Sequence, residues 1–288
     1  MTVFSPLAAA LEGLRVMRRE PLAVLSWVGL WVAGLLAVGA VVIFTASHEP
    51  SLPGARGGVL TLARRYGPFW PFLISTLLLL WIMTTATVFR AVLRPDEHGW
   101  HLFKFGPDEA RLAGITVIGA VVFGLLGIAP ALLVWLLTQP VLLVVPAAMQ
   151  LVVVAGTFLT VCLEIWIAVR LSLAPVYTFD THHYHLVSYW DITQTHFWRL
   201  CLSYLMVALQ MAGLYLALFV VTGLLQTLAT SQPLVVEIVS DLLKAVAFVL
   251  AWTIYCACQA AAYKAIMRSP PPAFRPRPQP KRGAKAGR

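Results

Sequence analysis

Residues 22–46 read LAVLSWVGLWVAGLLAVGAVVIFTA, twenty-five positions without one Asp, Glu, Lys or Arg. At 1.5 Å per residue a helix of that length covers about 37 Å, enough to cross the roughly 30 Å hydrocarbon core of a bilayer. Five further long apolar stretches follow: Phe69–Leu93, Leu112–Thr138, Leu151–Ala174, Leu200–Thr230 and Ile238–Tyr263. Hydrophobic residues make up 60% of the chain and charged residues 11%, with a mean hydropathy of +0.82. A soluble protein of 288 residues with that composition would lack the polar surface to cover itself.

A membrane β-barrel would need polar/apolar alternation in segments of about ten residues. Leu77–Ile82 and Val117–Phe123 do not alternate. The expected fold is therefore an all-α integral membrane protein with six transmembrane helices over residues 21–268. Six spans leave no room for a separate soluble domain. The first span is too long for a signal-peptide core of about 7–15 residues, and reads as a retained helix that also directs insertion.

The charges give an orientation. Formal net charge is +9. Arg15, Arg18 and Arg19 precede the first span; Arg90, Arg94, Lys104 and Arg111 flank the second connection; Arg170 and Arg199 flank the fourth. Gln139–Gln150 and Ser231–Glu237 carry no Lys or Arg, and the first connection holds Arg56, Arg64 and Arg65. Lys and Arg collect on the cytoplasmic side, so both termini are expected inside, as in a bacterial inner-membrane protein. The segment 269–288 combines Pro270–Pro272, Pro276, Pro278 and Pro280 with Arg275, Arg277, Lys281, Arg282, Lys285 and Arg288. It reads as a disordered tail attracted to anionic lipid headgroups rather than to nucleic acid.

Residues 1–20 read as a cytoplasmic amphipathic helix. Ser5 is placed to cap it, Pro6 suits its first position, and Phe4, Leu7, Leu11, Leu14 and Met17 recur at helical spacing. Val59–Tyr66 could form a second interfacial helix, and Pro130 and Pro146 predict a kink or early stop. Ser188 and Asp191 have capping-box spacing, so a helix should begin near Ser188 and lead into the fifth span. Small residues at Gly29, Ala33 and Ala37, and at Ala120 and Gly124, have the spacing of close helix contacts. Arg90 and Arg170 each stand five residues before a proline, Pro95 and Pro175, which hints at three tandem helical hairpins.

Arg170-Leu-Ser-Leu-Ala-Pro175, followed by Ser188-Tyr-Trp-Asp-Ile-Thr193 and Phe197-Trp-Arg-Leu200, resembles bacterial six-helix inner-membrane proteins. The relatives in question are the membrane domains fused to some glycerophosphodiester phosphodiesterases. The resemblance is best over residues 170–200 and implies the fold. In that family the phosphodiesterase chemistry resides in a separate soluble domain, so no catalytic residue carries over.

Two groups of residues are candidates for chemistry. Asp180, His182, His183 and His185 form a His/carboxylate cluster of the kind that holds a divalent metal, with Asp191 and His196 downstream. Its spacing matches no zinc-hydrolase motif, and clustered His and aromatics also suit contact with headgroups. Glu164 and Gln210 lie at comparable depth in the fourth and fifth spans and could bond to one another. There is no phosphate-cradling Gly-rich loop and no nucleophile elbow. Cys162, Cys201, Cys256 and Cys258 fall in or beside spans and read as packing residues. Asp241 and Lys244 should pair locally.

The expected function is that of a non-enzymatic, cofactor-free membrane protein, a scaffold or a component of envelope or lipid homeostasis. A small transporter or channel using Glu164 is the first alternative, and a membrane-embedded metalloenzyme the second.

Overall fold

A computed structural model describes residues 4–48, 70–95, 106–144, 149–183, 188–228 and 233–268. Among them every regular element is an α-helix: α1 Pro6–Ala10, α2 Glu12–Arg19, α3 Pro21–His48, α4 Trp70–Leu93, α5 Pro107–Val144, α6 Met149–Leu171, α7 Ala174–Thr181, α8 Ser188–Leu228 and α9 Pro233–Arg268. Four stretches are long and apolar enough to cross a membrane: Pro21–Val41, Trp70–Leu93, Val153–Thr181 and Ile192–Thr227. The proposed second interfacial helix, Pro146, His185 and the 269–288 tail lie outside the described residues.

Helix α9 is the hub. It packs against α1, α2, α3, α4, α7 and α8. Its C-terminal half is buried on almost every side, through Ala251, Cys256, Ala257, Cys258, Ala260 and Ala262. Such small side chains let neighbouring backbones come close from several directions. The neighbouring helices bury residues toward this half of α9: most of Leu80–Val92 of α4, Leu112 and Ile115 of α5, and Leu200, Ser203 and Val207 of α8. Their far ends expose Leu36, Ile74, Leu125, Phe158 and Phe219. In water such a surface would aggregate; in a bilayer it faces acyl chains at little cost.

Close backbone contact occurs away from the small-residue stripes read from the sequence. Gly29, Ala33, Ala37, Ala120 and Gly124 face outward, and a Cβ on Gly29 or Gly124 would meet nothing within 4 Å. Gly13 instead lies so near α9 that an added Cβ would stand 2.5 Å from the Ile254 Cα, while one on Gly34 would meet Leu80 Cδ1 at 2.6 Å. The first helix also departs from a simple interfacial reading. It breaks at Leu11 into α1 and α2, and turns Ala9, Ala10, Gly13 and Val16 into the bundle. Ser5 does cap α1, its side chain accepting from the Ala8 N–H at 3.5 Å.

The stop expected at Pro130 is absent, since α5 runs unbroken from Pro107 to Val144. Proline in a lipid-embedded helix is tolerated when neighbouring groups take up the freed backbone carbonyl. Helix α8 begins at Ser188 and has 41 residues, about 60 Å of helix, so it extends well beyond one crossing.

Two threonines on α4 clamp α3 and α9. Thr84 Oγ1 accepts from the Trp31 indole N–H at 2.8 Å, and Thr85 Oγ1 accepts from the Trp252 indole at 3.0 Å. Each hydroxyl proton goes to a carbonyl of its own helix, Leu80 or Trp81. Both lone-pair and proton needs are thereby met inside the core.

Candidate functional site

Where the helix ends converge, charged residues are buried. Arg90, in the last turn of α4, forms an ion pair with Glu109 in the first turn of α5, and both side chains are almost wholly buried. Glu109 Oε2 also accepts from the Gly106 N–H at 2.8 Å, where a carboxylate both caps the helix and meets its positive dipole end. The Arg90 and Arg94 guanidiniums lie over the Phe179 ring.

Arg170 occupies the matching position at the end of α6. It donates to the Trp190 carbonyl at 3.0 Å and stands within 6 Å of the Trp166, Trp190 and Phe197 ring centres. Arg90 thus reaches 19 residues ahead to the head of α5, and Arg170 reaches 20 ahead, past α7, to the head of α8. Composition reads both only as markers of sidedness; their shared spacing to proline was the available signal. Glu109 gave no separate signal, because an acidic first turn is ordinary.

The residues of the His/carboxylate cluster point to different neighbours. Asp180 accepts from the Tyr263 hydroxyl of α9 at 2.8 Å. His182 takes a left-handed backbone conformation (φ 62°) that closes α7, and its Nδ1 lies 2.8 Å from Asp108 Oδ1, the atom that also pairs with Arg111 at 3.0 Å. His183 is exposed. Among the described residues no three His, Cys, Asp or Glu side chains come together as a metal site.

Glu164 and Gln210 do not pair. Glu164 Oε1 lies 3.1 Å from where a Cβ on Gly127 would be, facing α5. Gln210 turns to the opposite neighbour, its Nε2 donating to the Ala10 carbonyl of α1 at 3.3 Å. Docking of α1 supplied a partner that lay 200 residues away. Asp241 and Lys244 do pair, at 2.8 Å.

A cavity of about 350 Å³ lies between α4, α5, α6, α7 and α9. The turn at Ser172–Leu173 and the opening of α7 bring Ser172 and Pro175 to its wall. Thr85, Thr116, Ser172 and Gln259 line the part nearest the charged helix ends; Trp81, Val122, Phe123 and Trp252 line the deeper part. Ile118 and Ala120 belong to the lining yet are also exposed on the outer surface, so the cavity opens sideways along α5. No Asp, Glu, Lys, Arg or His is among its described lining residues. A chamber graded from uncharged polar to apolar can hold an amphiphile in one direction only.

No protein-family model matches the sequence, and comparison with curated proteins and with solved structures finds no match either.

Proposed function

We propose that this is a non-enzymatic inner-membrane protein of six spans that acts in lipid homeostasis by holding an amphiphile in the cavity beside α9. Helices α5 and α9 complete the six spans, both termini are cytoplasmic, and Arg90 and Arg170 mark equivalent ends of tandem hairpins. The six-helix membrane domains that the 170–200 segment resembles are consistent with this arrangement. The carrying observation is the graded cavity: Thr85, Thr116, Ser172 and Gln259 lie on its side toward the helix ends that carry Arg90 and Glu109, and Trp81, Val122, Phe123 and Trp252 lie farther along the same helices.

A lipid of the cytoplasmic leaflet has the same polarity gradient along the same axis. The described lining carries hydroxyl and amide side chains but no charge, which suits a head without a net charge. The transport alternative has less support, because Glu164 and Gln210 face different helices.

Gly119 provides the test. It lines the cavity, and a Cβ there would meet nothing within 4 Å. Gly119→Phe should fill the chamber without displacing the backbone. Lipids extracted from the purified parent protein are expected to contain an enriched uncharged-head amphiphile by mass spectrometry. That species should be lost from Gly119→Phe, with thermal unfolding no lower than the parent's. An identical lipid profile in parent and variant would sink the reading.

A further inference from the structure

We infer that the hollow between the N-terminal helices and the end of α9 is a binding site for a phosphate-bearing group. It is separate from the uncharged cavity and from the 269–288 tail. A second cavity, of about 420 Å³, is walled by α1 and α2 on one side and by the ends of α4 and α9 on the other. Among the described lining residues Arg15, Arg19, Lys264 and Arg268 stand against one carboxylate, that of Glu12.

These four cations come from opposite ends of the sequence. Sidedness alone would scatter them around the helix ends; here the docking of Gly13 on Ile254 gathers them about one space. Glu12 holds Arg15 at 3.0 Å and Arg19 at 3.8 Å, so one acid orients two guanidiniums and leaves the wall strongly positive. Lys264 is fixed by donating to the Val92 carbonyl at 2.9 Å.

The floor is made of small apolar side chains, Ala91, Ala261 and Ala265. A cationic rim over an apolar floor suits an anion attached to carbon, and guanidiniums bind phosphate oxygens with directional, charge-assisted bonds. The ligand chemistry is a phosphate group of net negative charge, with no cation of its own to balance it, met either as an anionic lipid headgroup or as free phosphate.

The test uses the full chain, delipidated in an uncharged detergent. Dioctanoyl phosphatidylglycerol, dioctanoyl phosphatidylcholine and inorganic phosphate are titrated separately, with binding read by calorimetry and by the rise in unfolding temperature. Phosphatidylglycerol should bind and stabilise, and phosphatidylcholine should do so much less. Arg15→Gln with Arg268→Gln should weaken phosphatidylglycerol binding by roughly tenfold or more, whereas Arg275→Gln with Arg277→Gln in the tail should leave it unchanged.

Glu12→Gln provides an independent variant. Removing the competing carboxylate should tighten binding. If inorganic phosphate displaces the lipid at similar concentrations, the natural occupant is free phosphate; if it does not, the occupant is a headgroup. Either result supports the site. Unchanged binding in the Arg15/Arg268 variant, loss of binding in the tail variant, weaker binding in Glu12→Gln, or equal binding of the two lipids would overturn it.

Discussion

Arg90 at the end of α4 and Glu109 in the first turn of α5 form a buried ion pair that ties two successive helices together across their connection. Glu109→Ala is expected to cost about 3–5 kcal/mol, because it takes the carboxylate away from a buried guanidinium. The double change Arg90→Met/Glu109→Met should recover most of that loss, since well-packed apolar residues commonly replace a buried pair without penalty. Chemical unfolding in micelles measures both. A double variant as unstable as the single one would mean that the pair itself is required.

Gly13 and Gly29 should respond to alanine in opposite directions. At Gly13 the new Cβ would meet the backbone of Ile254, which cannot move aside as a flexible side chain would. We expect Gly13→Ala to lower stability by about 1–3 kcal/mol, the usual cost of overpacking. At Gly29 the space is open, so alanine should add about 0.5–1 kcal/mol through helix propensity alone. Thermal unfolding of the two variants side by side decides it, and equal effects would refute the α2–α9 contact.

The two threonine clamps predict a hydroxyl requirement. Thr84→Val keeps shape and volume but leaves the Trp31 indole N–H buried without its acceptor, at an expected cost of about 1–3 kcal/mol. Thr84→Ser keeps the acceptor and should lose much less. Similar melting temperatures for the valine and serine variants would remove the hydrogen bond from the account.

Helix positions were legible because a bilayer allows few ways to satisfy the backbone, so a long apolar run reads as a helix. The described residues of all six apolar stretches fall within a helix or, for Leu151–Ala174, within α6 and the turn into α7. Partners were less legible. Gly29 and Gly13 are equally small, and only the docking of α2 decides which one meets a backbone. Arg90 and Arg170 look like any arginine at a helix end until the packing of the helices buries them. The Ala8–Ala10 run with Gly13 did carry a usable signal for α1 and α2: small residues at helical spacing on an otherwise amphipathic segment mark a docked face. The graded cavity is built from five helices, and no local pattern announces it.

The orientation of the chain can be tested from both ends. Arg15 and Arg19 near the start share one cavity wall with Lys264 and Arg268 near the end. The first described helices and the end of the last therefore meet at one end of the bundle, as the proposed six crossings with both termini cytoplasmic require. A reporter active only in the periplasm should be silent when fused after Arg288 and active when fused after Gln139, in the outer part of α5. Activity after Arg288 with silence after Gln139 would invert the orientation. Silence at both sites would mean that α5 does not cross, and would reduce the number of spans.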